Sequence, residues 1–78
     1  MMQHDMSPNT AWEVARPGVI RLPTTDMEIH LLDDAAREDL YEVRWRHRVI
    51  ARTMVLGYAK LRAQDWLADL LAMGVEPG

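Results

Sequence analysis

The sequence predicts a mainly α-helical protein: a long helix, bent or folded into a helical hairpin, preceded by an N-terminal extended arm or short β-hairpin. Three observations lead to this prediction. Residues 33–73 contain no proline and a single glycine, Gly57. Apolar residues recur there at spacings of three, four or seven, as they do along one face of a helix. Acids precede bases along the same stretch, an order that suits the helix macrodipole.

The chain of 78 residues divides into three segments of one small domain. Residues 1–10 have the composition of a flexible polar tail. Residues 11–32 form the predicted extended or β-hairpin arm, and residues 33–74 form the predicted helical region. No internal repeat or low-complexity segment divides the chain further.

Turn residues and alternation predict the arm. Pro17 and Gly18 suit the two central positions of a type II turn. Met27–Leu31 alternates apolar and polar residues with the period of a strand. A competing interpretation begins a helix at Thr25, because Thr25 and Glu28 have the spacing of a capping box. The alternation favours the strand.

The helical region is predicted to bend near residues 63–65. If a helix ran straight through them, the apolar residues from Trp66 onwards would fall on a different side from those up to and including Leu61. A kink and a tight helical hairpin both fit this change. Gly74, followed by Pro77, predicts that the helix ends near Met73.

The composition is that of a small folded protein. Hydrophobic residues make up 49% of the chain, the formal net charge is −3, and there is no cysteine. Disulfides and thiolate metal sites are therefore excluded. The first residues lack the basic and apolar regions of a signal peptide, and no apolar run approaches the roughly 20 residues of a membrane span. We expect an intracellular protein, cytoplasmic or within a larger assembly.

No motif predicts catalysis, a metal or a cofactor. His4, His30 and His47 lack the spacing of a metal site. The four glycines never cluster as in a phosphate-binding loop, and the single serine has no nucleophile-elbow context. The sequence therefore predicts that the protein is not an enzyme.

A basic stretch with interleaved aromatic residues is the candidate binding site. Residues 44–62 carry five arginines, one lysine and no acid. On a helix, Arg44, Arg48 and Arg52 would form one basic ridge, because they are spaced by four residues. The predicted site consists of this ridge and its aromatic and apolar neighbours: Tyr41, Arg44, Trp45, Arg48, Val49, Arg52 and Leu56.

Two functions fit this site. The first is a small non-enzymatic protein-interaction module, an adaptor, inhibitor or assembly subunit of the kind that phages and bacterial operons encode. Trp and Arg are enriched in such interfaces, and a chain this short is expected to form a homo-oligomer or a complex with another protein. The alternative is a small nucleic-acid-binding regulator whose ridge contacts phosphates.

Overall fold

The computed structural model describes residues 12–32 and 40–77, which form a five-stranded antiparallel sheet and one C-terminal helix. The predicted mainly α-helical fold is therefore wrong, and the chain is not a small helical protein. The predicted tail, residues 1–10, and residues 33–39 of the predicted helical region lie outside the described residues. The elements are β1 (Glu13–Arg16), β2 (Val19–Arg21), β3 (Met27–Leu31), β4 (Tyr41–Trp45), β5 (Arg48–Thr53) and α1 (Leu56–Ala72).

The sheet is a meander in which the strands lie in chain order, each antiparallel to the next. Three strands form within the segment predicted as an extended or hairpin arm. Pro17 and Gly18 form the β1–β2 turn, and Gly18 has φ +79, a conformation that glycine adopts without steric cost. Strand β3 occupies the residues whose alternation predicts a strand.

Strands β4 and β5 replace the first part of the predicted helix. In β4 the side chains alternate between the two faces of the sheet, with Val43 fully buried on one face and Glu42 and Arg44 on the other. The spacings of three, four and seven also fit a helix, so periodicity alone does not separate the two structures. Val49, Ile50 and Thr53 favour the strand because they are β-branched.

The β4–β5 turn carries no glycine or asparagine, which is why the sequence gives no sign of a hairpin here. Two-residue turns of this kind need a positive φ at both central residues and therefore favour Asn-Gly. The turn is instead Arg46-His47, and these residues have φ 51 and φ 67. An uninterrupted run without glycine or proline thus contains a sharp reversal.

Helix α1 runs without interruption from Leu56 to Ala72, so the predicted bend at residues 63–65 is absent. Met73 is its C-cap, and Gly74 follows with φ 78 in the left-handed conformation of a helix stop. No helix in the described part of the chain is long and apolar enough to span a membrane.

The core lies between α1 and strands β3 to β5. Met27 and Val43 are fully buried there, and Ile29 is almost so. Ala59 and Ala63 of α1 are fully buried against them, because their small side chains let the helix approach the sheet closely. Helix α1 contacts β3, β4 and β5, so one face of the sheet carries the helix and the other does not.

Candidate functional site

Charged side chains lie in two rows across the sheet face that α1 does not cover, here called the open face. Each row joins residues that are direct partners on neighbouring strands, and such partners point to the same side of a sheet. Acids and arginines alternate over four of the five positions of the first row, and in the second row Glu42 lies beside Arg52. The first row is Glu13, Arg21, Glu28, Arg44 and Val49, and the second is Arg16, Val19, His30, Glu42 and Arg52.

Glu42 is the buried acid of the second row. It is only 5% exposed, and its carboxylate accepts hydrogen bonds from Arg44 and, at 2.9 Å, from Nε of Arg52. Burial alone would raise the pKa of Glu42, but the hydrogen bonds from Arg52 and Arg44 outweigh it and lower the pKa below its ordinary value. The charged carboxylate therefore fixes two half-exposed arginines on the open face.

Glu28 of the first row is a second acid that holds neighbouring side chains on the open face. Its Oε1 lies 2.8 Å from Nε2 of His30 and 3.4 Å from a terminal nitrogen of Arg16. Burial would raise the pKa of Glu28, but hydrogen bonds with His30 and Arg16 lower it below the usual value. Arg21 pairs with Glu13 at 3.1 Å. Acids thus orient arginines across the whole width of the sheet.

A cleft of about 360 Å³ opens at the end of this face where the β2–β3 and β4–β5 turns lie. We call it the arginine cleft. Four arginines and two acids line it, so the lining carries a net charge of 4 − 2 = +2 when its two histidines are neutral. The lining residues are Arg16, Arg21, Thr25, Asp26, Glu28, His30, Arg44, Arg46 and His47.

The two turns beside the arginine cleft are strained. Thr24, Arg46 and His47 have positive φ and are not glycine, and within residues 12–32 and 40–77 no other such residue occurs. Left-handed backbone costs a non-glycine residue roughly 1–2 kcal/mol. Strained backbone of this kind concentrates at functional sites, where a particular side chain is needed at that point. The two strained residues of the β4–β5 turn, Arg46 and His47, both line the cleft.

Arg46 also ties the rim of the cleft together. Its Nε donates to Oδ2 of Asp26 at 3.1 Å, and a terminal nitrogen donates to the carbonyl oxygen of Glu76 at 3.0 Å. Its guanidinium lies 4.3 Å from the ring centroid of Trp45. The carbonyl oxygen of Pro77 accepts from the backbone N–H of Asp26 and from Nε1 of Trp45. The segment after α1 therefore fixes both turns.

The lining is suited to binding rather than to nucleophilic chemistry. Among the described residues of the lining, the only hydroxyl belongs to Thr25. This hydroxyl donates to the carbonyl oxygen of Leu22 at 2.8 Å and accepts from the N–H of Met27 at 3.1 Å. Across residues 12–32 and 40–77, no three histidine or acidic side chains are placed to hold a metal ion. Guanidinium groups offer several N–H donors in a planar fork, which matches carboxylates and phosphates.

The structure separates the site residues predicted from the sequence. Arg44, Val49 and Arg52 lie together on the open face, with Arg44 in the cleft. Trp45 is on the helix side, 6.4 Å from Trp66 between ring centroids. Arg48, which is the register partner of Trp45 on β5, is exposed. The single helical ridge through Arg44, Arg48 and Arg52 does not exist, because these residues are on strands β4 and β5.

Tyr41 and Leu56, the other two predicted site residues, border a second concavity of about 240 Å³ on the helix side. It lies over β1 to β3, and α1 contacts only the last of these strands. Val14 and Leu31 in its lining are 75% and 52% exposed. This apolar groove and the arginine cleft are on opposite faces of the sheet.

Sequence reasoning did not find most of the arginine cleft. Arg16, Arg21, His30, Arg46 and His47 come from four different strands and turns, and only sheet pairing brings them together. One local signal was available: Glu28 and His30 alternate with apolar residues in β3, and so must share the face opposite the core.

Comparison with known proteins assigns no family to this chain. No family model matches the sequence. The searches of curated proteins and of solved structures give no significant match. The function is therefore argued from the geometry of the cleft.

Proposed function

We propose that this chain is a small non-enzymatic protein-interaction module whose arginine cleft binds an acidic segment of a partner protein. The observation that carries the proposal is the strained Arg46-His47 turn, whose two side chains line a cleft that already contains three other arginines. A glycine-containing turn would close the same hairpin without strain. The cost is offset if these side chains are needed for binding.

The charge of the cleft favours an anionic partner. Acids orient each of its arginines, but one carboxylate does not occupy all five N–H donors of a guanidinium. Side chains of Arg21 and Arg44 are 44% and 38% exposed, so donors remain available to a ligand. Pre-oriented arginines lose less conformational entropy on binding than free ones do.

A protein segment fits the open face better than a nucleic acid does. Within the described residues, the two rows of the open face contain no tryptophan, tyrosine or phenylalanine, whose large rings are the usual platforms on which bases stack. Glu28 and Asp26 in the cleft would repel the continuous charge of a phosphate backbone. A peptide with separated carboxylates can place each one beside an arginine and avoid the acids.

Recognition by side chains is also favoured because both edge strands are protected. β1 and β5 each carry an extra residue in their pairing, Ala15 and Ile50, at a β-bulge. Bulges at sheet edges hinder the addition of another strand. We therefore expect a partner to lie across the open face rather than to extend the sheet.

Replacing Arg21 and Arg44 with glutamine tests this proposal. Calorimetric titration with a capped hexaglutamate peptide should show affinity reduced by about tenfold in the double variant, because charge-assisted hydrogen bonds are lost. The control is Arg48→Gln with Arg62→Gln, which removes the same charge outside the cleft. Its affinity should stay within about twofold of the wild type.

Equal losses in both double variants would contradict the proposal, because they would indicate binding governed by net charge alone. The same titration with an oligothymidine tests the alternative function. If the oligonucleotide binds more tightly than the peptide, with a steep salt dependence that the cleft variant loses, the protein is a nucleic-acid binder.

A further inference from the structure

The outer side of α1 carries a row of four residues that begins and ends with an exposed leucine. Leu61 and Leu71 are 57% and 64% exposed, and Gln64 and Ala68 lie between them. The successive spacings are three, four and three residues, those of the a and d positions of a coiled coil. We call these four residues the outer row.

The position of the outer row leaves it available to another helix. At 100° per residue, its centre lies about 140° around α1 from the buried residues Ala59, Ala63 and Leu70. A helix packed on the outer row would therefore meet α1 almost opposite the sheet. The fold of the monomer need not change to make this contact.

Charged residues beside the outer row identify its occupant. With Leu61 and Ala68 at a positions, Lys60 is at a g position and Asp65 is at the e position of the next heptad. In a parallel pair of such helices, g of one chain lies beside the following e of the other. We propose that a second copy of this chain packs in parallel along α1, with Lys60 of each copy beside Asp65 of its partner.

The antiparallel arrangement lacks this complementarity. It places g beside g and e beside e, so no offset brings Lys60 to Asp65. Gln64, at a d position, also favours the parallel pair in register, because its amide can donate to and accept from the same amide of the second copy. A single polar residue in the seam is a recognised way to fix register at some loss of stability.

The interface is expected to be modest. A helix of 17 residues is about 25 Å long, and only two leucines of each copy lie in the outer row. The outer row should therefore give a dimer that dissociates on dilution. Light scattering at high micromolar concentration should give twice the 9.0 kDa chain mass, with monomer at low concentration.

Leu61→Glu with Leu71→Glu should abolish the dimer at every concentration and leave the circular dichroism spectrum unchanged, because both side chains are exposed in the monomer. Val14→Glu is the control, since it adds a charge at an apolar position outside α1 that is even more exposed than the two leucines. It should leave the dimer intact. A monomer in the wild type at high concentration, or a dimer that survives the two leucine substitutions, would overturn the proposal.

The charge pair and the orientation have separate tests. Lys60→Glu and Asp65→Lys should each weaken the dimer several-fold, and together they should restore it. The chain has no cysteine, so Leu61→Cys provides a single thiol. In the parallel pair it should form a disulfide-linked dimer on mild oxidation. Failure of the charge swap to restore association, or of Leu61→Cys to cross-link, would rule out the parallel arrangement.

Discussion

Met27→Ala should lower the free energy of unfolding by about 2–5 kcal/mol, the range expected when a fully buried large side chain is truncated in a core. Met27 is completely buried in β3, opposite Trp45 of β4. The surrounding sheet and helix can close the resulting cavity only in part, because Ala59 and Ala63 already fix how near α1 comes. Urea denaturation followed by tryptophan fluorescence measures the change.

Met54→Ala is the matched control for this substitution. Met54 is 58% exposed, just before α1, so the same chemical change should alter the free energy of unfolding by less than about 0.5 kcal/mol. Similar losses for the two variants would contradict the placement of β3 in the core.

Glu42→Gln should destabilise the protein by about 1–3 kcal/mol at neutral pH, because hydrogen bonds between a charged carboxylate and two arginines are replaced by weaker ones to an amide. The half exposure of Arg44 and Arg52 keeps the loss below that of a fully buried ion pair. Glu13→Gln is the control, since Glu13 is half-exposed and, among residues 12–32 and 40–77, pairs only with Arg21. It should change stability by less than about 0.5 kcal/mol.

The acid dependence gives a second check on Glu42. Its pKa is lowered in the folded state, so its contribution to stability is complete above the unfolded value of 4.5 and is lost as the pH falls through the folded value. The difference between wild type and Glu42→Gln should therefore be largest near neutral pH and shrink below pH 4.5. A difference that stays constant into acid would show that the charge of Glu42 is not what stabilises the fold.

The elements that could be predicted are those with local signals. Alternation marks β3, a Pro-Gly pair marks the β1–β2 turn, and Gly74 marks the end of α1. The residues of β4 and β5 predict a helix instead, because the turn between the two strands is Arg46-His47 and carries none of the usual turn residues. The residues that hid the hairpin are also residues of the arginine cleft. Local rules fail most often where function determines the residue.

The candidate site can be predicted only in part from the sequence, for a different reason. Arg44 and Arg52 stand out in the sequence as part of a basic run, but the acid that pairs with both, Glu42, precedes that run. Arg16 and Arg21 are far from them along the chain and reach the same face through β1, β2 and β3. Charge patterns along a sequence cannot show which charges a sheet will bring together.

Mapping the hexaglutamate peptide onto the isotope-labelled wild-type protein by NMR tests the central claim most directly. If the arginine cleft is the binding site, saturable chemical-shift changes should be confined to the β2–β3 and β4–β5 turns, above all Asp26, Arg46 and His47, and to the guanidinium signals of Arg21 and Arg44. Changes centred on α1 or the apolar groove, or no saturable change at all, would contradict it.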